Sequence, residues 1–161
     1  GINKANYSYG EKILEHKIDN ASGAEKEGYI KELLALYDQS TEYFPKNYTK
    51  ADVASDKASL LYDNKMASDE ELYNMLSQAF KENQEDFDNP KALYLYFSSL
   101  VDLHKAGKKD LQEVFDVYDD VTEQIENENQ KYLAQINTLL PKEEAGTLTA
   151  KEKKKLRAYN S

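Results

Sequence analysis

The side chains able to do chemistry are unevenly stocked in this chain. Its 161 residues hold 30 Asp and Glu but only two His and no Cys. Without a thiol, a hydroxyl nucleophile would need an imidazole base beside it. Only His16 and His104 offer one. His104 lies in the last turn of an expected helix, where a cation suits the negative end of the helix dipole. His16 directly follows Glu15, and neither histidine has a partner at helical spacing to share a metal ion. No catalytic residue, metal or cofactor is therefore expected.

The carboxylates read as solvent faces, with one stretch set apart. Residues 110–128 contain Asp110, Glu113, Asp116, Asp119, Asp120, Glu123, Glu126 and Glu128, with no Lys or Arg among them. At helical spacing, Asp116, Asp119, Asp120 and Glu123 share one side. They are the first candidates for contacting a basic partner. The plainer reading is an outward, solubilising face. A calcium loop is not encoded, because Asp86-Phe87-Asp88-Asn89-Pro90 lacks the central Gly and distal Glu of an EF-hand. No Gly-rich phosphate cradle precedes a helix.

A net charge of −9 repels phosphate backbones and anionic lipid. Nucleic acid is therefore not an expected partner. No apolar run reaches the length of a membrane span, so direct membrane insertion is not expected either. The cluster Lys151, Lys153, Lys154, Lys155 and Arg157 is the one basic patch, and pairing with the acidic stretch accounts for it better than nucleic acid does. Tyrosine is abundant, with 13 residues against no Trp. Many fall on helical stripes, as half-buried packing or as a partner surface. Tyr62 and Tyr96 are the aromatic candidates for a groove.

The elements that must position these groups are helices. Asn3 to Ile18 forms the first. Ser22-x-x-Glu25 predicts a capping box that opens a second helix, which Pro45 stops. Thr49 caps a third, running to Asn64. Ser68-x-x-Glu71 opens a fourth that reaches about Phe87. Asn89-Pro90 starts a fifth, closed by Gly107. A sixth begins near Asp110 and continues through the polar interval Glu126–Lys131 until Pro141 ends it. Thr149-x-x-Glu152 caps a last short helix to Tyr159. No strand pattern occurs.

One apolar signature recurs along these helices. Ile30-x-x-Leu33-Leu34-x-x-Tyr37 is followed 42 residues later by Leu72-x-x-Met75-Leu76-x-x-Ala79. Leu111-x-x-Val114-Phe115-x-x-Tyr118 comes 39 residues after that. Each is an i, i+3, i+4, i+7 stripe on one helix face. A helical repeat of about 40 residues predicts antiparallel helix pairs stacked as an α-solenoid. Ile30, Leu33, Leu34, Leu72, Leu76, Leu111 and Phe115 are expected to be buried between pairs. The expected organisation is a repeat domain over 1–140, with a loop and short basic helix over 141–161 leading into further repeats. The chain starts Gly1-Ile2-Asn3 without Met, so it is expected to be a fragment. Leu156 and Tyr159 are expected to seek a partner beyond it.

The aromatic-Pro step Tyr43-Phe44-Pro45, with Leu and Tyr at fixed places in paired helices, resembles tetratricopeptide-type repeats. Their usual Trp-Leu-Gly-Tyr set is missing, and the spacing here is longer than their 34 or so residues. A nearer likeness is to tetratricopeptide-like proteins of Gram-negative envelopes. It is carried by the segments 7–14, 33–44, 101–107 and 146–156. The resemblance implies export to the periplasm or cell envelope and a scaffold role, and it transfers no catalytic residue. A non-enzymatic protein–protein interaction scaffold is the expected function. The alternatives are a carboxylate-based hydrolase and a glycan- or peptide-binding module using a Tyr-rich groove.

Overall fold

The computed structural model describes residues 3–144, 146 and 149–160. Those residues form helices α1 (Lys4–Asp19), α2 (Gly23–Tyr43), α3 (Lys50–Asp63), α4 (Asp69–Glu82), α5 (Pro90–Lys105), α6 (Leu111–Glu144) and α7 (Ala150–Asn160). A 3-10 turn spans Gln84–Asp86. No strand occurs among the described residues. The all-helical class is as expected, and the helices pack in pairs, α1 with α2, α3 with α4 and α4 with α5.

Most helix ends follow local rules. Thr49 and Asp52 make a reciprocal capping box, each side chain taking the other residue's backbone N–H at 3.1 Å. The Ser68 hydroxyl accepts from Glu71 N–H, and Asn89 Oδ1 accepts from Ala92 N–H ahead of Pro90. Gly107 takes a left-handed φ of 77°, and the Gly107 and Lys108 N–H groups donate to the carbonyls of His104 and Leu103. These two bonds are the Schellman closure. Thr149 and Glu152 form the last capping box.

One expected cap bond is missing and two expected boundaries move. Ser22 stands at the N-cap of α2 but makes no side-chain cap bond. The Glu25 carboxylate that would complete the box instead accepts from the Tyr29 hydroxyl. Helix α4 stops at Glu82 rather than near Phe87. The 3-10 turn then swings Phe87 into the core, 5.5 Å from the Phe80 ring. Helix α6 does not end at Pro141 but runs on to Glu144. Proline removes the bond to the carbonyl four residues back. That carbonyl belongs to Asn137, an exposed residue, so water can replace the missing donor. The polar interval Glu126–Lys131 stays helical, with Glu128 held by Lys131 at 3.1 Å.

The chain divides into two compact units, Gly1–Tyr118 and Asp119–Ser161. In the first, α1 and α2 are antiparallel. The Tyr7 hydroxyl donates to the Leu36 carbonyl at 2.8 Å, while at the other end the Lys17 ammonium lies over the Tyr29 ring. Ile18, Ile30, Leu33, Tyr37 and Val53 form one core cluster. Around α4 and α5, Tyr73, Phe80, Phe87 and Tyr96 pack ring against ring, with Tyr73 and Tyr96 stacked at 5.7 Å. In the second unit, Ile136 and Leu139 form a small core cluster. The basic residues Lys151, Lys153, Lys154, Lys155 and Arg157 are exposed there. The side chains of Leu156 and Tyr159, expected to seek a partner, lie outside the described residues.

Candidate interaction surface

The three copies of the apolar signature do not share one fate. In α2, Ile30, Leu33 and Tyr37 are buried and Leu34 is half-buried. In α4, Leu72, Leu76 and Ala79 are buried and Met75 is half-buried. In α6, Leu111, Phe115 and Tyr118 are 51%, 54% and 55% exposed. The expectation that Leu111 and Phe115 are buried therefore fails. In the first unit the face that α6 buries is a neighbouring one, marked by Val117.

Polar contacts on the first turns of α6 set this rotation. The Tyr73 hydroxyl, buried on α4, donates to Glu113 Oε1 at 2.7 Å. The Lys109 ammonium lies 5.0 Å from the Tyr73 ring centre and 3.5 Å from Glu113. Burial and the Glu113 carboxylate both raise the Tyr73 phenol above its ordinary value, so it remains a donor. His104 braces the turn before α6 through Nδ1, 2.9 Å from the Lys109 carbonyl. With Glu113 turned inward, Leu111, Phe115 and Tyr118 turn out. They form an i, i+4, i+7 ridge on one helix side. Tyr118 packs against the half-buried Phe97 of α5, with ring centres 5.9 Å apart.

The candidate residues fall in several places. Asp116 is exposed in the first unit and accepts from Gln112 Nε2 at 2.9 Å. Asp119, Asp120 and Glu123 are exposed in the second unit. Tyr62 is exposed at the end of α3. Tyr96 is 1% exposed among Tyr73, Phe80 and Phe87, so its ring is unavailable to a partner. Its place on the α5 stripe is a packing place. One open hollow in the first unit is lined by Tyr37, and a second, between α2, α3 and α4, is lined by no tyrosine.

The exposed ridge of α6 was not predictable from spacing, because its spacing matches that of the two buried copies. The buried Gln124 was likewise unforeseen. Among the described residues no helix is long and apolar enough to cross a membrane. Comparison of the chain with family models, curated proteins and solved structures finds no match.

Proposed function

We propose that the protein is a non-enzymatic interaction scaffold, and that the ridge of Leu111, Phe115 and Tyr118 on α6 receives a basic, amphipathic segment of another protein. The observation that carries this reading is the exposure of all three side chains above one half. Large apolar residues at i, i+4 and i+7 are the anchor spacing by which one helix seats another. A contiguous apolar patch rimmed by polar groups is typical of a binding surface. Asp110 and Asp116 stand exposed beside the ridge, and no cation lies between residues 110 and 128. A cationic partner would gain association rate from that field. Asp119, Asp120 and Glu123 extend the same acidic sequence in the second unit. The solenoid-like stacking of helix pairs and a place in a bacterial envelope belong to this reading, supported by the resemblance of segments 7–14, 33–44, 101–107 and 146–156 to envelope tetratricopeptide-like proteins.

Calorimetric titration with a helical peptide of alternating leucine and lysine faces tests it. The peptide should bind, and Phe115→Ala should weaken it about tenfold or more, since aromatic anchors dominate interface energetics. A peptide of equal charge without leucine should bind much more weakly. Equal binding of the two peptides, or indifference to Phe115→Ala, would remove the ridge as the docking surface.

A further inference from the structure

Helices α1, α2 and α3 enclose an open cleft of about 560 Å³, a volume within the usual range of small-ligand sites. Carboxylates line two of its walls, Glu15 and Asp19 from α1, Asp56 and Asp63 from α3. Lys26 of α2 is the cation in the lining. The residues repeat at helical steps. Glu15 and Asp19 are four apart and Asp56 and Asp63 seven apart, so each pair stands on one face of its helix. Like charges at such spacing repel, and packing the two helices together brings the two rows into one hollow.

The chain neutralises this hollow only in part. Lys91 holds Asp63 at 2.7 Å, and Lys57 is committed to Asp38. Among the described residues Asp56 has no ion pair, and Lys26 makes none within 4.0 Å. Asp56 is half-buried, and its carboxyl is pushed up to about 6 by burial and then by Asp52 and Glu15. Glu11, next along α1, is raised by the same causes, burial first and then Glu15 and Asp56.

A second observation points at a ligand. Tyr37 is 7% exposed and lines the cleft from α2. Its hydroxyl has no hydrogen-bond partner among the described residues, yet no sealed polar atom is left unsatisfied. The hydroxyl therefore keeps access to solvent, and Tyr37 is one of the residues that line the hollow. A phenol so deeply buried, yet bonded to no described group, leaves its hydroxyl open to an occupant of the hollow.

We infer that this cleft binds a linear aliphatic polyamine, its ammonium groups held between the α1 and α3 carboxylates and its chain lying over Ile18 and Leu60. Both of those apolar residues belong to the lining. An inorganic ion fits less well. Among the described residues no three His, Cys, Asp or Glu side chains converge closely enough to hold a metal. Charge spread along two walls matches a ligand whose charges are separated by methylene spacers. The Tyr37 hydroxyl accepts a hydrogen bond from one ammonium at the base of the cleft.

Calorimetric titration of the full chain with spermidine tests the inference, with magnesium chloride and tri-lysine run at matched ionic strength. Spermidine should bind saturably, and magnesium should not displace it at equal ionic strength. Asp56→Asn should weaken spermidine about tenfold or more, as loss of one partner of a part-buried charge pair does. That variant removes a repelled charge and keeps the side-chain shape, so its melting temperature should be no lower than the parent's. Tyr37→Phe should weaken binding several-fold with the fold retained. A control change, Asp69→Asn on α4, should have no effect. Three results would overturn the assignment. They are magnesium acting as well as spermidine, Asp56→Asn binding like the parent, and tri-lysine binding as tightly as spermidine, which would make the occupant a peptide.

Discussion

The α4 and α6 copies of the apolar signature differ in what stands in front of them. Leu72 and Leu76 of α4 are buried, and the helix packs against both α3 and α5. Leu111 and Phe115 of α6 occupy the corresponding signature positions and are more than half exposed. The two stripes have the same period, and Leu76 and Phe115 are similarly apolar. What separates them is a polar anchor. Glu113 reaches inward to the buried Tyr73 hydroxyl at 2.7 Å, and that bond holds this side of the first turns of α6 toward α4. Periodicity reports that a helix has an apolar face. It does not report whether the chain itself supplies the cover.

The largest expected effect lies on the covered side. Leu76 is fully buried, so Leu76→Ala should lose its transfer free energy and leave a cavity, costing about 2–5 kcal/mol in urea unfolding. A loss under about 1 kcal/mol would mean that α4 is as open as α6, and the contrast would collapse.

The inward anchor comes next. Tyr73→Phe removes the hydroxyl that binds Glu113 and leaves that carboxylate short of a partner. The cost should be about 1–3 kcal/mol in urea unfolding, as for other broken charge-assisted bonds. An unchanged stability would show that the bond does not set the rotation of α6.

The α1–α3 cleft offers a contrast of charge. The Asp56 carboxyl titrates near 6 in the folded protein, because burial and then Asp52 and Glu15 raise it. Its unfolded value is about 3.9. The folded state therefore holds the proton more tightly. The stability from this group is fully present below pH 4 or so and is lost as pH rises through about 6. Asp56→Asn should then stabilise the protein at pH 8 by about 1 kcal/mol, a figure reduced for the part of the carboxylate that water screens. Near pH 4 the gain should vanish. Thermal unfolding of both proteins across that range measures it, and a gain independent of pH would contradict the assignment to charge.

The smallest effect is expected where the signature stands uncovered. Phe115→Ala should change unfolding free energy by no more than about 0.5 kcal/mol, as exposed substitutions do. Set beside Leu76→Ala, it sharpens the comparison from the other side.

Local rules carried the reading of this chain far, and tertiary placement carried the rest. Thr49 with Asp52, Ser68, Asn89-Pro90 and Gly107 mark helix ends through bonds within a few residues, so their chemistry is visible in sequence. At Ser22 the box does not close, its hydroxyl making no cap bond while the Glu25 carboxylate accepts from Tyr29 instead. The end of α4 was misplaced because Phe87 answers to Phe80 and Tyr96 rather than to its neighbours in the chain. Of the candidate residues, Asp116, Asp119, Asp120, Glu123 and Tyr62 are exposed, while Tyr96 is sealed in an aromatic core that spacing alone does not distinguish from a surface stripe. The cleft was missed because its carboxylates come from two helices. A trace of it was present in the like-charged pairs Glu15 with Asp19, four residues apart, and Asp56 with Asp63, seven apart, each on one helix.

The absence of cysteine from the chain makes the central contrast directly measurable. Single variants Leu76→Cys and Phe115→Cys can each be labelled with a thiol-specific reagent under native conditions. The Phe115→Cys thiol should react at nearly the rate of a free peptide thiol, and the leucine–lysine peptide should protect it. The Leu76→Cys thiol should react only through global unfolding. A Phe115→Cys thiol protected in the free protein as strongly as that of Leu76→Cys would show that the third face is covered by the chain itself, and would contradict the account.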